Sequence, residues 1–323
     1  MDIFNRTKNN RNDFQDHAIS LFKTQANEVE LYKQFIENLN IDPNKVSKLN
    51  EIPFLPVEFF KSHSIYRGAN KPEILFKSSS TTGTGQSTHA VADLKLYEQS
   101  FINAFRHFYG DPADFCFLFL LPSYLEREGS SLIYMAESMI QMSRYSESGF
   151  YLNNIDDLHK QLIVNEQNSI PTILMGVSFA LLDFAEQFSM QLKSTIVMET
   201  GGMKGRRAEV PREELHTILC KSLGVSHIHS EYGMTELLSQ AYSKGNGVFE
   251  TPPWMQVSLY DPYNPLKPSE NNTGGVNIID LANQFSCAFI QTNDIGKKNG
   301  ANSFEILGRF DYSDVRGCNL LVY

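Results

Sequence analysis

Between residues 115 and 229, apolar runs of strand length alternate with amphipathic segments of helix length, and this constrains the fold more than any other feature. Residues 115–121, 172–177, 194–198 and 226–229 read as strands. Residues 132–142, 179–188 and 212–223 read as the helices between them. Strands joined through helices cross over rather than fold back, so they lie parallel, in a sheet covered on both faces. After about residue 240 the helical pattern fades, and 247–250, 255–260, 275–281, 286–291 and 304–307 read as short strands between turns. The expectation is a layered α/β domain with a β-rich C-terminal section. Upstream, Ala18, Leu21, Phe22, Ala26, Val29, Tyr32, Phe35, Ile36 and Leu39 keep a period near that of a helix, which predicts one helix over 14–40. Asp93 is placed to cap a helix with Tyr97, Phe101, Phe105 and Phe108 on one face.

Composition removes several classes of function. A chain of 323 residues with 41% hydrophobic side chains can bury a sizeable core, which excludes a disordered protein. The net charge is -9, and no basic block is longer than Lys204 to Arg207, interrupted by Gly205. A nucleic-acid surface needs a concentrated cationic face, so no nucleic-acid partner is expected. No run approaches the roughly 20 apolar residues of a membrane span. Met1 to Asp16 is too polar for a signal peptide. Cys116, Cys220, Cys287 and Cys318 have no CxxC spacing and read as reduced thiols, which places the protein in the cytoplasm.

Four motifs can bear chemistry. The first is Lys77-Ser78-Ser79-Ser80-Thr81-Thr82-Gly83-Thr84-Gly85-Gln86. Its glycines free the backbone to turn N–H groups toward an anion, and its hydroxyls add donors, as a triphosphate requires. It is not a P-loop, since GK[ST] is absent. Composition alone also fits a solvated polar linker; the strand-like flanks at 74–76 and 88–92 argue against that. The second motif, Glu231-Tyr232-Gly233-Met234-Thr235-Glu236, follows the strand expected at 226–229. It would sit at a strand's C-terminal end, where open α/β sheets bind ligands. The plainer reading is a strand-to-helix turn with a surface acid. The third is Gln291-Thr292-Asn293-Asp294, where a carboxylate after a strand could take ribose hydroxyls, and the fourth is Gly308-Arg309-Phe310-Asp311. His227 and His229 lack a third ligand and read as structural.

In this order the four motifs resemble those of the adenylate-forming superfamily of acyl-CoA ligases, peptide-synthetase adenylation domains and firefly-type luciferases. The Ser/Thr/Gly loop is similar to its phosphate loop, Tyr232 to Glu236 to its YGxTE, Thr292 to Asp294 to its TGD, and Gly308 to Asp311 to its GRxD. The segment Ile52-Pro53-Phe54-Leu55-Pro56-Val57-Glu58-Phe59-Phe60-Lys61-Ser62, the segment Thr200-Gly201-Gly202-Met203-Lys204-Gly205 and the ending Arg316-Gly317-Cys318 resemble the LuxE-type acyl-protein synthetases. Phenylacetate-CoA ligases are nearby relatives, and the resemblance covers nearly the whole chain.

The resemblance implies ATP and Mg²⁺ as the cofactors and a fatty or related carboxylic acid as the substrate. Ser79, Ser80, Thr81, Thr82, Gly83, Thr84 and Gly85 would hold the β- and γ-phosphates, with Thr235 on the α-phosphate and Glu236 on Mg²⁺. Glu231, Tyr232 and Gly233 would line the adenine, with Gly201 and Gly202 on its other side. Asp294 would bind the ribose, with Arg309 nearby, and Asp311 would be the hinge. The implied layout is a large domain over 1–307 and a hinge-like tail over 308–323, without the family's small lid domain. Lys61, Lys77 and Lys204 are the lysines near the motifs that could replace the lid's lysine. Cys318 would carry the acyl group as a thioester before a partner reductase, acyltransferase or carrier protein receives it. Gln86 in place of Pro-Lys and Asn293 in place of the glycine of TGD depart from the family pattern.

Overall fold

The computed structural model describes residues 3–6, 11–68, 71–78, 85–122, 129–152, 154–201, 210–300 and 302–310. The chain opens with helices α1 (Ile3–Arg6), α2 (Arg11–Glu28) and α3 (Glu30–Asn38). The single helix expected over 14–40 is therefore two, divided at Val29, which has extended backbone (φ -91, ψ 102). The break turns α3 so that the Tyr32 hydroxyl reaches the Pro53 carbonyl at 2.5 Å while its ring stacks on Phe289. Next come β1 (Leu55–Pro56), α4 (Phe59–Ser62) and a hairpin of β2 (Ile74–Lys77) and β3 (Thr88–Val91). Helix α5 (Leu94–Phe108) is capped by the Asp93 carboxylate, as its sequence predicts, through the N–H groups of Lys95 and Leu96.

The alternation then folds as expected: β4 (Cys116–Leu120), α6 (Ser131–Met142), β5 (Gly149–Phe150), α7 (Ile155–Gln167), β6 (Thr172–Val177), α8 (Ser178–Gln187), β7 (Thr195–Thr200) and α9 (Arg212–Leu223). Among the described elements of this stretch, α7 and β5 were not legible in the sequence. The C-terminal section supplies β8 (His229–Tyr232), β9 (Ala241–Ser243), β10 (Val248–Glu250), β11 (Met255–Asp261), β12 (Asn264–Pro268), β13 (Thr273–Asp280), β14 (Phe289–Lys298) and β15 (Ser303–Arg309). Among the described residues both sections share one sheet, in the order β12-β11-β13-β14-β15-β10-β9-β8-β7-β6-β4-β5, with β1 added beside β14. Strands β4 to β8 are mutually parallel, and the direction reverses where β9 returns antiparallel to β8.

Strand ends differ from expectation where the site lies. The strand expected at 226–229 runs instead from His229 to Tyr232, so Glu231 and Tyr232 are strand residues, and a turn into β9 replaces the expected helix. The strand expected at 286–291 extends to Lys298 and contains Asp294. The physical reason is shared: Ser230, Glu231, Thr292 and Asp294 are buried although polar. A strand that buries polar side chains is invisible to a hydropathy pattern.

The turn after β8 is held from beneath by Asp280, which is fully buried. Its Oδ2 accepts the N–H groups of Leu238 (2.8 Å) and Ser239 (3.0 Å). Its Oδ1 accepts the Ser239 hydroxyl (2.6 Å) and the Ala282 N–H (3.1 Å). The Trp254 indole N–H donates to the hydroxyls of Ser239 and Ser100, closing the network. Asp280→Ala strands three buried N–H groups, so urea unfolding should show a loss of about 3 kcal/mol or more. Ser239→Ala keeps the backbone bonds and should lose only about 1 kcal/mol. Equal losses would contradict this assignment.

Candidate functional site

The Ser/Thr/Gly motif is the connection of the β2–β3 hairpin, whose register pairs Lys77 with Thr88 and Phe76 with His89. Its base is pinned shut. The Ser78 N–H donates to the Ser87 carbonyl at 3.0 Å, and the Ser87 N–H donates to the Ser78 hydroxyl at 2.9 Å. Gln86 donates its side-chain amide to the Ser78 carbonyl at 2.6 Å. Gly85 takes a positive φ of 92°, a conformation that favours glycine. The loop's other expected anion-binding residues, Ser79, Ser80, Thr81, Thr82, Gly83 and Thr84, lie outside the described residues, as do Gly202, Lys204, Asp311 and Cys318.

Glu236 meets this loop from the turn after β8. It is buried, and burial pushes its carboxyl above the ordinary carboxylate range. The Ser87 hydroxyl, its own backbone N–H and the charges of Arg309 and Lys61 oppose that rise. Lys61 comes close because β1 pairs parallel with β14 and the Val57 N–H donates to the Gln291 carbonyl at 2.9 Å. Asn293 donates its side-chain amide to Glu58 and fastens the same segment. Of the three lysines singled out by sequence, Lys61 thus lies beside Gly85 and its charge is felt by Glu236, while Lys77 ends β2.

Asp294 lies on β14, opposite Arg309 on β15. Its Oδ2 accepts the Tyr232 hydroxyl at 2.6 Å, and its Oδ1 pairs with the Arg309 Nε at 2.9 Å. Burial first, then the Asp294 carboxylate, push the Tyr232 phenol well above its ordinary pKa, so it stays protonated and donates. The Tyr232 ring packs edge-on against Phe249 and Phe304. The expected ribose carboxylate, aromatic ring and arginine are therefore one connected group. In this structure both carboxylate oxygens already hold a partner.

At the ends of β7 and β8, Thr200 pairs with Glu231, and its hydroxyl donates to Glu231 Oε2 at 2.5 Å. Glu231 Oε1 lies where a side chain on Gly233 would begin, 2.5 Å from an ideal Cβ, so only glycine fits there without moving the carboxyl. Burial pushes the Glu231 carboxyl up to about 7; the Thr200 bond lowers it and the Glu199 charge raises it further. Gly201 follows in the left-handed region (φ 67°), its carbonyl held by the Ser178 hydroxyl at 3.0 Å.

Sequence patterns missed the supports of this site. Burial works to raise the Glu199 carboxyl, but His216 and Arg212 overcome it and hold the group below its ordinary value. Arg212 also donates to the Ile306 carbonyl and lies over the Phe249 ring, tying α9 to β15 and β10. A salt bridge between Arg212 and Glu199 spans separate elements and has no local sequence signature. His89 and Asn283, which contact the backbone of the Thr235–Glu236 turn, were missed for the same reason. Among the described residues no group of three ligating side chains includes His227 or His229, and the His229 ring bonds the Tyr109 hydroxyl at 3.1 Å. No described helix is long and apolar enough to cross a membrane.

No protein-family model matches the sequence, and no curated protein matches it. Solved structures do. ATP-bound MatB from Rhodopseudomonas palustris aligns with a TM-score of 0.57 at 16% identity, over 75% of this chain and 49% of that one. The 2-hydroxyisobutyryl-CoA ligase in its postadenylation state, in complex with R3-HIB-AMP, aligns with a TM-score of 0.67 at 12% identity, over 93% of this chain and 68% of that one. The chain spans about half the length of MatB. At such identities the likeness is one of fold: the layered α/β architecture expected from the sequence is shared with these two ligases.

The Glu231 carboxyl gives this site a pH signature. Its folded-state pKa is raised, so its contribution to stability is full below the ordinary carboxylate pKa and is lost as pH rises through about 7. Between pH 5 and pH 8 the wild type should lose on the order of 2 kcal/mol more unfolding free energy than Glu231→Gln, which has no proton to release. Parallel pH profiles for the two proteins would contradict the burial of this carboxyl.

Proposed function

We propose that this protein binds ATP between the Ser/Thr/Gly loop and the Tyr232–Glu236 turn and activates a carboxylic acid as its adenylate. The observation that carries the reading is the convergence of the strand leaving the loop on the turn that bears the buried Glu236, where His89 Nδ1 lies 2.8 Å from the Thr235 carbonyl oxygen. It is supported by a fold shared with ligases whose structures hold ATP or an acyl-AMP. In this reading the acid's carboxylate oxygen attacks the α-phosphorus, the bond to the bridging oxygen breaks, and pyrophosphate leaves. Catalysis is then positioning and charge stabilisation. The backbone and hydroxyls of 79–85 cradle the β- and γ-phosphates, Thr235 contacts the α-phosphate, and Asp294 with Arg309 orients the ribose.

A single buried carboxylate suits Mg²⁺, which binds through one or two carboxylates together with substrate phosphates. Glu236 would hold the ion, and the ion would supply charge neutralisation for the polyphosphate. Burial alone disfavours the Glu236 anion, so a cation there relieves a real electrostatic penalty.

For the second half-reaction we propose transfer to a protein thiol: the Cys318 thiolate attacks the acyl carbonyl, AMP leaves, and the thioester passes to a partner reductase, acyltransferase or carrier protein. A fatty acid is the proposed substrate. The competing reading is a CoA ligase that releases a soluble thioester, favoured by the matched ligase structure that contains CoA.

Acid-dependent exchange of labelled pyrophosphate into ATP should be measurable, and Glu236→Ala should lower it at least tenfold. No exchange across a broad panel of acids at saturating Mg-ATP would leave a nucleotide- or acyl-binding protein without catalysis. With labelled fatty acid and ATP, a hydroxylamine-sensitive acyl group should form on the protein. Cys318→Ser should abolish that label and leave exchange intact; label surviving the substitution would disprove the thiol assignment, and a soluble acyl-CoA would favour the competing reading.

A further inference from the structure

One buried side chain on the strand leaving the Ser/Thr/Gly loop reaches the turn that carries Thr235 and Glu236. His89 lies on β3, fully enclosed, with its ring edge-on to Phe60 at 5.7 Å. Its Nδ1 is 2.8 Å from the Thr235 carbonyl oxygen, and its Nε2 is 3.0 Å from Asn283 Oδ1. A backbone carbonyl has no proton to give. Neither has Asn283 Oδ1, because the orientation of that amide is fixed independently: its Nδ2 donates to the carbonyls of Glu236 (2.8 Å) and Cys287 (3.0 Å). Turning the amide over would set an oxygen against both carbonyls.

Both ring nitrogens of His89 therefore face acceptors, and both bonds exist together only when each nitrogen carries a hydrogen. Burial opposes the charged ring and pushes its pKa down to about 4, against the pull of the two bonds. An apolar side chain would fill this space without that conflict. The arrangement makes sense if the two contacts matter more than the comfort of the ring. Asn283 is itself anchored, since the Gln25 side chain donates to its carbonyl at 2.8 Å. The ring thus braces the turn against a fixed post.

We propose that His89 is a positioning residue for the nucleotide site. Through its one N–H when neutral, it ties the strand leaving the Ser/Thr/Gly loop either to the backbone of Thr235 or to Asn283, which holds the Glu236 carbonyl. The spacing between the two segments that would share one polyphosphate is then set by side-chain bonds rather than by the hairpin alone. This inference rests on the nucleotide reading above.

The test is direct binding of labelled Mg-ATP by equilibrium dialysis, with no acid present, on the wild type, His89→Gln and His89→Phe. Circular dichroism and thermal unfolding establish that each is folded at the assay temperature. His89→Phe keeps the ring packed beside Phe60 and removes its hydrogen bonding, and should weaken Mg-ATP binding at least tenfold. His89→Gln keeps one donating group and should fall between. In pyrophosphate exchange the KM for ATP should rise in the same order while the KM for the acid stays put, a split that general loosening of the fold would not give. If the wild type binds Mg-ATP and His89→Phe binds it within twofold, the brace is wrong and the nucleotide reading survives. If the wild type does not bind Mg-ATP, the nucleotide reading fails and the brace fails with it. Should His89→Phe not fold, His89→Gln decides: unchanged affinity overturns the proposal.

Discussion

The candidate site depends on a buried polar web that holds the turn after β8 from beneath. Asp280 accepts two backbone N–H groups and a hydroxyl from that turn, and Asn283 and His89 take hold of its carbonyls a few residues earlier. A turn carrying a threonine and a buried glutamate toward a ligand cannot rely on hydrophobic packing, which has no direction. Hydrogen bonds with fixed donors and acceptors do have direction, and in a buried setting an unmade bond is expensive. The web therefore defines one arrangement of Thr235 and Glu236, with large penalties for departures from it.

The sheet's change of direction places this web. Strands β4 to β8 run parallel, so their C-terminal ends lie on one edge, and the reversal at β9 sends the chain back through the turn at that edge. The antiparallel section then brings Asp294 and Arg309, on neighbouring strands, to the hydroxyl of Tyr232. The segment 55–62 joins the group only because β1 adds to β14, which carries Lys61 to the loop. Four pieces of sequence, more than 200 residues apart at their extremes, converge through strand pairing rather than through proximity in the chain.

Where apolar side chains make the element, the sequence was a good guide. The strand at 172–177 and the helix at 212–223 occur with the predicted limits, and Asp93 caps its helix as expected. These are local or periodic signals, and burial of one apolar face enforces them. The elements bearing the site were read less well. Strands β8 and β14 continue through Glu231 and Asp294 because the fold buries those polar groups with partners, and hydropathy ended both strands too early. The split at Val29 likewise answers to a distant demand, the seating of Tyr32 against Pro53 and Phe289.

From the sequence alone came the α/β class, the order of the motifs and the identity of Tyr232, Asp294 and Arg309, which the fold joins, and of Glu236 on the turn after Tyr232. These residues could be named because each is a residue type whose chemistry is legible alone. Only the tertiary structure decided that Tyr232 and Arg309 share the two oxygens of Asp294, that Glu231 is a buried carboxyl against Thr200, and that His89 links the loop's strand to the Thr235 turn. The physical reason is that each of these is a hydrogen bond between residues on different elements. Such a bond depends on distance and direction in space, and neither is written into the spacing of residues along the chain.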